Sequence, residues 1–351
     1  MNSTGAMQSL LLALACAQCV MADGVDALVQ MEMKQHPIPG LALEIIQNGK
    51  ATKTAGYGLA DLEWNAAVTP ETAFEIGSVT KQFTAAAIML LAQDGKLSVD
   101  DKLSSHLEGT PASWSNITLR HLLTHTSGLK NYTGLDGFEL TRHLTQAQFI
   151  RRMAREPLDF QPGAKWSYCN TGFNLLGFVI ENASGKGYWQ FMRERIFGPL
   201  GMSHTTDRDP RNMIPFRASG YEIDRPGHYI NRDCDLTDIF SAGAIVSTVG
   251  DLAKWNQSLD EHMLLTAATE AEMWTPVRFN NGSTCPYGFG WNLNPLQGMT
   301  NIGHSGSTAG FSASIQRFPE NALAVIVLAN SNEEGIATKV AKEIALLYLP
   351  K

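Results

Sequence analysis

The sequence predicts an α/β fold in which strands from both ends of the chain form one antiparallel sheet flanked by helices, with a mainly helical lobe inserted between them. Strand patterns lie near both termini, at 41–47, 52–59, 311–318 and 322–328. Apolar residues recur at helical spacing through most of the region from 79 to 194. Two lobes joined in this way leave a cleft between them, where binding pockets usually form.

The N-terminal elements are a helix and a hairpin. Apolar residues at helical spacing predict a helix over 25–35, and the segment 37–40, which runs from a proline to a glycine, ends it. The strands 41–47 and 52–59 flank Asn48 and Gly49, a dipeptide that tolerates the positive φ angles of a tight turn. This pattern predicts an antiparallel pair.

The C-terminal elements mirror these, with a strand at 311–318, an apolar strand at 322–328 and a helix at 336–348. Between the two ends, the sequence predicts helices at 79–93, 119–123, 146–154, 172–182 and 187–196. Segment 208–235 has no periodicity and predicts a long surface loop that shapes substrate choice. We therefore expect an α/β lobe of about residues 23–80 plus 240–351 and a helical lobe of about residues 81–239.

Length and composition indicate an ordinary globular protein with two lobes. The chain has 351 residues, of which 44% are hydrophobic and 17% are charged, so neither disorder nor a fibrous class is favoured. The formal net charge is -7 and no long basic run occurs, which argues against a nucleic-acid partner and favours a small-molecule or peptide substrate. Cysteine and histidine do not occur at metal-ligand spacing, so we expect no metal and no cofactor. The oligomeric state stays open.

The first 22 residues resemble a signal peptide. Residues 9–22 are apolar but too few to span a bilayer, and the preceding residues lack the lysine or arginine that such a segment normally carries. The alternative is a buried N-terminal helix. We expect export to the periplasm or the medium, which leaves Cys169, Cys234 and Cys285 in the mature chain. Cys234 with Cys285 is the one pairing considered, and three free thiols are the expectation.

The segment 77–81, Gly-Ser-Val-Thr-Lys, carries the sharpest chemical signal because an alanine-rich helix follows it. Ser78 and Lys81 are three residues apart and share one face of that helix. A serine hydroxyl is a poor nucleophile until a neighbour takes its proton, and a lysine can do so when burial lowers its pKa. At the start of a helix, the backbone N–H of Ser78 has no intrahelical partner and can face an oxyanion.

A second copy of this spacing, Ser127 to Lys130, shows that the pattern alone is weak. We reject this copy because Gly128 disfavours a helix by about 1 kcal/mol and no periodic helix follows. The segment 125–128 instead resembles the turn that ends a helix, with His125 a turn residue. An isolated match most often means a capping serine and a surface lysine.

Two further motifs make that ordinary explanation inadequate: Trp-Ser-Tyr-Cys-Asn at 166–170 before a helix, and Gly-His-Ser-Gly-Ser at 303–307 where a strand is expected. The order Ser-x-x-Lys, Tyr-x-Asn, His-Ser-Gly resembles the penicillin-recognising serine hydrolases, which include DD-carboxypeptidases, class C β-lactamases, D-aminopeptidases and family VIII esterases. The segments 122–129, 199–202 and 287–291 are similar to that family too. The resemblance runs from about residue 25 to the C-terminus and implies a serine β-lactamase-like fold.

The resemblance implies a role for each motif residue. Ser78 is the expected nucleophile, Lys81 its proton partner and Tyr168 the group that passes a proton to the leaving group. A phenol beside a lysine is expected to shift toward phenolate and to act as a general base. The substrate-binding residues that the resemblance implies are Asn170, His304, Ser305, Gly306 and Ser307, the last through its backbone N–H in the oxyanion hole.

Two residues depart from the family pattern. Class C β-lactamases have a lysine at the position of His304, which holds a substrate carboxylate, whereas a histidine is only partly charged near neutral pH. The resemblance therefore favours peptidases and esterases. Cys169 replaces the usual serine of the second motif and is expected to be a small buried hydrophobe.

Three functions stay open at this point. The first is hydrolysis of amide or ester bonds through an acyl-enzyme, with D-amino-acid peptides of the DD-carboxypeptidase or D-aminopeptidase type as the leading substrates. The second is a β-lactamase or a family VIII-type esterase. The third belongs to another class, a penicillin-binding sensor or scaffold whose acyl-enzyme persists without turnover. A Ser-His-Asp hydrolase is excluded because no Gly-x-Ser-x-Gly motif occurs.

Overall fold

The computed structural model describes residues 24–136, 144–225, 227–232, 236–237 and 239–350. The signal peptide expected at 1–22 and Cys234 lie outside the described residues, so export stays a prediction. Cys169 and Cys285 are free thiols. Within the described ranges, no helix has both the length and the apolar character needed to cross a bilayer.

Strands from both ends of the chain form one six-stranded sheet. Its strands are β1 (Gly40–Gln47), β2 (Lys50–Asp61), β3 (Ala66–Ala67), β11 (Ile302–Thr308), β12 (Phe311–Phe318) and β13 (Leu323–Ala329). They lie in the order β11-β12-β13-β1-β2-β3, and every neighbouring pair is antiparallel. The central β1 pairs with β13, so the two chain ends meet in the middle of the sheet. The predicted fold class is confirmed.

The turn between β1 and β2 shows why the hairpin forms here. Asn48 and Gly49 have φ angles of 52° and 72°, the left-handed conformation that a tight two-residue turn demands at both positions. Only glycine and a few short polar residues adopt this conformation readily.

The sheet is covered on both faces, which explains the near-continuous apolar run of β13. On one face, alternate residues of β1 and β13 pack against α1 (residues 24–35) and α10 (Ile336–Tyr348). On the other face, the remaining residues of these strands join the main core with the helical part of the chain. Strand β11, which carries the motif at 303–307, lies at the edge of the sheet.

Helices dominate the middle of the chain, as expected. They are α2 (Thr80–Gln93), α3 (Leu119–Leu123), α4 (Gln146–Met153), α5 (Asn170–Ser184), α6 (Tyr188–Met192), α7 (Phe240–Gly243), α8 (Val249–Asp260) and α9 (Ala267–Met273). The first twelve residues of α2 are all buried, so this helix is enclosed on every side. A π-helical turn, Arg193–Phe197, continues α6. The lobe boundaries proposed from the sequence stay a prediction.

The expectation of a long surface loop over 208–235 is wrong in two respects. The described part of this segment contains a hairpin of β6 (Tyr221–Arg225) and β7 (His228–Asn231). Arg208 is also buried, with 5% of its surface exposed, because a buried carboxylate pairs with it. The remaining short strands are β4 (Phe74–Glu75), β5 (Thr206–Asp207), β8 (Ile245–Ser247), β9 (Val277–Arg278) and β10 (Thr284–Cys285).

Candidate active site

The nucleophile candidate lies where a short 3₁₀ turn, Gly77–Val79, runs into α2. Gly77 has a φ of 49°, so the chain enters the turn in a conformation that favours glycine. Ser78 is partly exposed, whereas Lys81 is fully buried. The helical spacing brings the Lys81 Nζ within 3.0 Å of the Ser78 Oγ. The local pattern in the sequence therefore places this pair as expected.

The Lys81 amine has three hydrogen-bond partners and no carboxylate among them. Its Nζ contacts the Ser78 Oγ at 3.0 Å, the Asn170 Oδ1 at 2.8 Å and the Ala242 carbonyl oxygen at 2.8 Å. Burial lowers the pKa of Lys81 well below its ordinary value, because desolvation disfavours the charged form. A neutral amine has a lone pair, and the Ser78 hydroxyl can donate its proton to it. The Ala242 contact is a backbone interaction that sequence reasoning missed.

Tyr168 lies beside the same pair. Its hydroxyl hydrogen-bonds with the Ser78 side chain, and the Lys81 Nζ lies 4.8 Å from the centre of its ring. Burial raises the pKa of Tyr168, so the side chain is a phenol and not the phenolate that we expected. The expectation is wrong because burial disfavours the charged phenolate by more than the hydrogen bond with Ser78 favours it. Tyr168 can therefore donate a proton, while Lys81 is the group that can accept one.

The edge strand β11 passes against the nucleophile turn. A Cβ added to Gly77 would lie 2.6 Å from the backbone nitrogen of Ser307, and one added to Gly306 would lie 1.9 Å from the carbonyl oxygen of Ile76. Real Cβ atoms do not approach so closely, so glycine is required on both sides of this contact. The backbone nitrogens of Ser78 and Ser307, the two expected oxyanion donors, therefore belong to segments in direct contact.

The Ser305 side chain does not join this cluster. Successive residues of a strand point to opposite faces, so Ser305 faces away from His304. It borders a polar cavity of about 200 Å³ beside Gln316 and Lys342, on the face that carries α10. Its contribution to the site is through the strand that it helps to form.

His304 is held in a chain of hydrogen bonds with Tyr287 and His125. The His304 Nδ1 lies 2.5 Å from the Ser305 carbonyl oxygen and must donate to it. The Nε2 is then an acceptor, and the Tyr287 hydroxyl donates to it at 2.9 Å. The Tyr287 oxygen in turn accepts from the His125 Nε2 at 3.1 Å, and the His125 Nδ1 accepts from the Cys169 backbone N–H at 3.1 Å. Each donor has one acceptor, so these hydrogen bonds assign one tautomer to each imidazole: His304 carries its proton on Nδ1 and His125 on Nε2.

The buried hydrogen-bond chain keeps the imidazoles of His304 and His125 neutral. Burial is the largest cause that lowers the pKa of His304, to about 3. Burial also lowers the pKa of His125 well below its ordinary value. The expectation that His304 is partly charged near neutral pH is therefore wrong, and the imidazole does not supply a cation for a substrate carboxylate. His125 is the buried turn residue that the sequence indicated, with a φ of 58°.

Asn170 begins α5 and connects the lysine to the neighbouring loop. Its Oδ1 accepts from Lys81 at 2.8 Å, and its Nδ2 donates to the Thr133 Oγ1 at 3.2 Å. These two contacts determine which way the amide faces. The preceding Cys169 is buried, its Sγ donates to the Leu129 carbonyl at 3.2 Å, and burial raises the pKa of its thiol. Such a thiol is unreactive, which agrees with its interpretation as a small buried hydrophobe.

Tyr287 is the functional residue that sequence reasoning missed. Its hydroxyl joins two imidazoles that are 179 residues apart in the chain (304 − 125), and its side chain is 1% exposed. The signal in the sequence was the aromatic and glycine-rich segment at 287–291, which is part of the resemblance to the family. Two other aromatic residues near the motifs, Phe289 and Trp291, are core residues, whereas Trp166 is 37% exposed.

Comparisons with known proteins agree with this geometry. The chain is 32% identical over 319 residues to penicillin-binding protein 4* of Bacillus subtilis, and the match covers 86% of this chain and 70% of that protein. It is 28% identical to the protein Flp of Staphylococcus aureus, with 89% of this chain covered, and it spans only 64% of that protein's length.

Solved structures show the same fold. The octameric penicillin-binding protein homologue from Pyrococcus abyssi superposes on this chain with a TM-score of 0.81 and 29% identity. The match covers 93% of this chain and 77% of the Pyrococcus abyssi chain. SurE, solved with D-Leu, superposes on this chain with a TM-score of 0.76 and 27% identity. The match covers 95% of this chain and 77% of the SurE chain.

The family model covers almost all of the described chain. The Beta-lactamase model matches residues 25–349, a range that includes the turn with Ser78, the start of α5 and the edge strand β11. The three motifs that meet in space therefore lie within one family match, and the chain belongs to the beta-lactamase family of serine hydrolases.

Proposed function

We propose that the protein hydrolyses amide or ester bonds of D-amino-acid derivatives whose leaving group carries no carboxylate, through an acyl-enzyme on Ser78. The observation that carries this proposal is the neutral His304, whose pKa is lowered to about 3. A fixed cation at this position serves to hold a carboxylate. A neutral imidazole with both nitrogens already hydrogen-bonded does not do so.

The chemical steps follow from the protonation states. The neutral amine of Lys81 takes the Ser78 proton as the Oγ attacks the substrate carbonyl, and the backbone N–H groups of Ser78 and Ser307 stabilise the oxyanion. The Tyr168 phenol gives its proton to the leaving nitrogen or oxygen, and the Lys81 ammonium returns a proton to the phenolate. The products of this half-reaction are the acyl-enzyme and the free amine or alcohol.

Deacylation uses water as the nucleophile. The neutral amine of Lys81 takes a proton from the water as its oxygen attacks the acyl carbonyl. The bond between the carbonyl carbon and the Ser78 Oγ then breaks, and the Lys81 ammonium gives its proton to the Ser78 Oγ, which restores the starting protonation states. The same two N–H groups stabilise the oxyanion in both half-reactions.

The substrate class rests on charge and configuration. Peptides that end in D-Ala-D-Ala and β-lactams both carry a carboxylate near the scissile bond, whereas amides and esters of D-amino acids do not. The likeness to SurE, a protein solved with D-Leu, supports substrates of D configuration. Together these favour a D-amino-acid amidase, D-aminopeptidase or esterase activity over a carboxypeptidase.

A side-by-side turnover assay tests the proposal. The four substrates are a D-amino-acid amide, a p-nitrophenyl ester, a D-Ala-D-Ala peptide and nitrocefin, and Ser78→Ala is the inactive control. We expect kcat/KM for the amide and the ester to exceed that for the two carboxylate-bearing substrates by at least about 10-fold, since an unpaired charge costs more than about 1.4 kcal/mol. A preference for the D-Ala-D-Ala peptide would overturn the substrate class, and turnover by Ser78→Ala would overturn the mechanism.

A substitution at His304 sharpens this test. His304→Lys restores a cation and should raise kcat/KM for the carboxylate-bearing substrates relative to the neutral ester. An unchanged ratio would contradict the role given to this position.

A penicillin-binding sensor is the second candidate, because the most identical relative described above is named a penicillin-binding protein. For this function, a fluorescent penicillin should label Ser78 with a single burst and no turnover. Continuous turnover of the neutral substrates excludes it.

A further inference from the structure

Three side chains from three separate segments meet beside the nucleophile turn. The Glu75 Oε1 accepts a hydrogen bond from the Arg208 Nε at 3.0 Å, and the Glu75 Oε2 accepts one from the Thr308 Oγ1 at 2.8 Å. Glu75 is 1% exposed and Arg208 is 5% exposed. We call Glu75, Arg208 and Thr308 the Glu75 clasp. None of the three takes part in the proton transfers above.

The Glu75 clasp links the nucleophile turn to the edge strand β11 through a hydrogen bond. Going along β11, Gly306 abuts the Ile76 carbonyl and Ser307 abuts Gly77, as the positions of their nearest atoms show. The next residue, Thr308, donates to Glu75. The hydrogen bond between Thr308 and Glu75 therefore joins the two segments that carry the oxyanion donors. Thr308 is one residue beyond Ser307, and Glu75 is three residues before Ser78.

The edge position of β11 makes such a bond useful. Among the described strands of the sheet, β11 pairs with β12 alone, and its other edge makes one isolated bridge, from Gly303 to Asn292, before it runs along the nucleophile turn. Glycines at 77 and 306 permit the close approach but contribute no side-chain contact. The buried Glu75 side chain accepts the hydrogen bond from Thr308 at 2.8 Å and so anchors the end of the strand.

Arg208 extends the clasp to the lysine. Its backbone N–H donates to the Ala244 carbonyl at 2.9 Å. Ala244 follows the helix α7, in which the Ala242 carbonyl accepts from the Lys81 Nζ. The clasp thus connects the oxyanion strand, the nucleophile turn and the segment that orients the general base.

We propose that the Glu75 clasp is a positioning device for the oxyanion hole, which holds the backbone nitrogen of Ser307 at the distance from Ser78 that the tetrahedral intermediate requires. The proposal rests on the proposed function, because it presumes an acyl-enzyme at Ser78. Glu75, Thr308 and Arg208 are positioning residues and not catalytic ones.

The primary test is Thr308→Val, which keeps the shape of the side chain and removes the hydrogen bond to Glu75. Misplacing a reacting group by about 1 Å can cost about 10²-fold in rate, so we expect kcat for a p-nitrophenyl ester to fall by about 10-fold to 100-fold while KM changes little. Thr308→Ser keeps the hydroxyl and should restore most of kcat. Glu75→Gln is a weaker test, since it removes the carboxylate that pairs with the buried Arg208 cation and is expected to impair folding.

A transition-state analogue separates positioning from a structural role. The boron of phenylboronic acid bonds to the Ser78 Oγ and forms a tetrahedral adduct whose oxygen occupies the oxyanion hole. In Thr308→Val, its affinity should fall by the same factor as kcat.

Thr205→Val is the matched control, because the Thr205 Oγ1 also donates to a buried carboxylate, that of Asp251 at 2.9 Å. It should lower the melting temperature as much as Thr308→Val does and leave kcat and boronic-acid affinity unchanged.

The outcomes distinguish two kinds of failure. If Thr308→Val keeps the kcat and the boronic-acid affinity of the wild type, the clasp has no positioning role and the proposal is overturned. If instead the wild type binds no boronic acid and Ser78→Ala retains activity, the proposed function itself fails. A loss of kcat that Thr308→Ser does not restore would also count against the clasp.

Discussion

Tyr287→Phe removes a single oxygen atom on which the two neutral imidazoles depend. In the wild type, the Tyr287 hydroxyl donates to the His304 Nε2 at 2.9 Å and accepts from the His125 Nε2 at 3.1 Å. The substitution keeps the ring and its packing. It leaves one buried acceptor and one buried donor without a partner.

The size of the effect follows from this count. The three side chains are 1%, 1% and 3% exposed, so bulk water cannot readily replace the lost oxygen. Each buried unsatisfied group costs about 1–3 kcal/mol, so two of them should lower the free energy of unfolding by about 2–6 kcal/mol. At about 2 °C per kcal/mol for a protein of this size, the melting temperature should fall by about 4–12 °C.

Tyr188→Phe is the matched control, because the Tyr188 hydroxyl is also buried but contacts only the Thr84 Oγ1, at 2.7 Å, among the hydrogen bonds of the described residues. Thr84 keeps its hydrogen bond to the Ser241 carbonyl, so this substitution should cost about 1 kcal/mol. Differential scanning calorimetry at pH 7.5 compares the two variants. If Tyr287→Phe lowers the melting temperature no more than Tyr188→Phe does, the hydrogen-bond chain and the neutral His304 derived from it are refuted.

Three further predictions follow from the site and the sheet. Lys81→Arg should be as inactive as Lys81→Met, because a guanidinium keeps its proton at every working pH; activity in the arginine variant alone would contradict the base role. Gly306→Ala puts a Cβ 1.9 Å from the Ile76 carbonyl and should lower kcat by about 10²-fold, whereas Gly187→Ala, with its nearest neighbour at 4.0 Å, should not. Burial raises the pKa of Glu44 from 4.5 to about 7, so the folded state holds this proton more tightly and stability falls as the pH rises from about 4.5 to 7. The difference in the free energy of unfolding between Glu44→Gln and the wild type should therefore be about 3 kcal/mol larger, in favour of the variant, at pH 8 than at pH 4. Urea unfolding measures this difference, and an equal value at both pH values would contradict the prediction.

Elements with strong local patterns were predictable almost to the residue. The alternation at 311–318 and the helical spacing at 336–348 correspond to β12 and α10 with the same bounds. The Asn48-Gly49 turn was readable because only a few residues adopt left-handed angles. These features depend on neighbours within a few positions, so the sequence alone contains the information.

The hairpin inside 208–235 was not predictable in the same way. Its strands are short, and the segment is rich in residues that favour turns. The burial of Arg208 depends on Glu75, 133 residues earlier in the chain, and no local pattern reports that contact.

What the sequence determined by itself was the proximity of Ser78 and Lys81, because one turn of a helix brings residues three apart together whatever surrounds them. The order of the motifs also indicated the family. What only the tertiary structure decided were the pKa shifts of the site: the pKa of Lys81 is lowered well below its ordinary value, that of Tyr168 is raised and that of His304 is lowered to about 3. The reason is physical, since a pKa depends on desolvation and on hydrogen-bond partners from distant segments, and both exist only once the chain has packed.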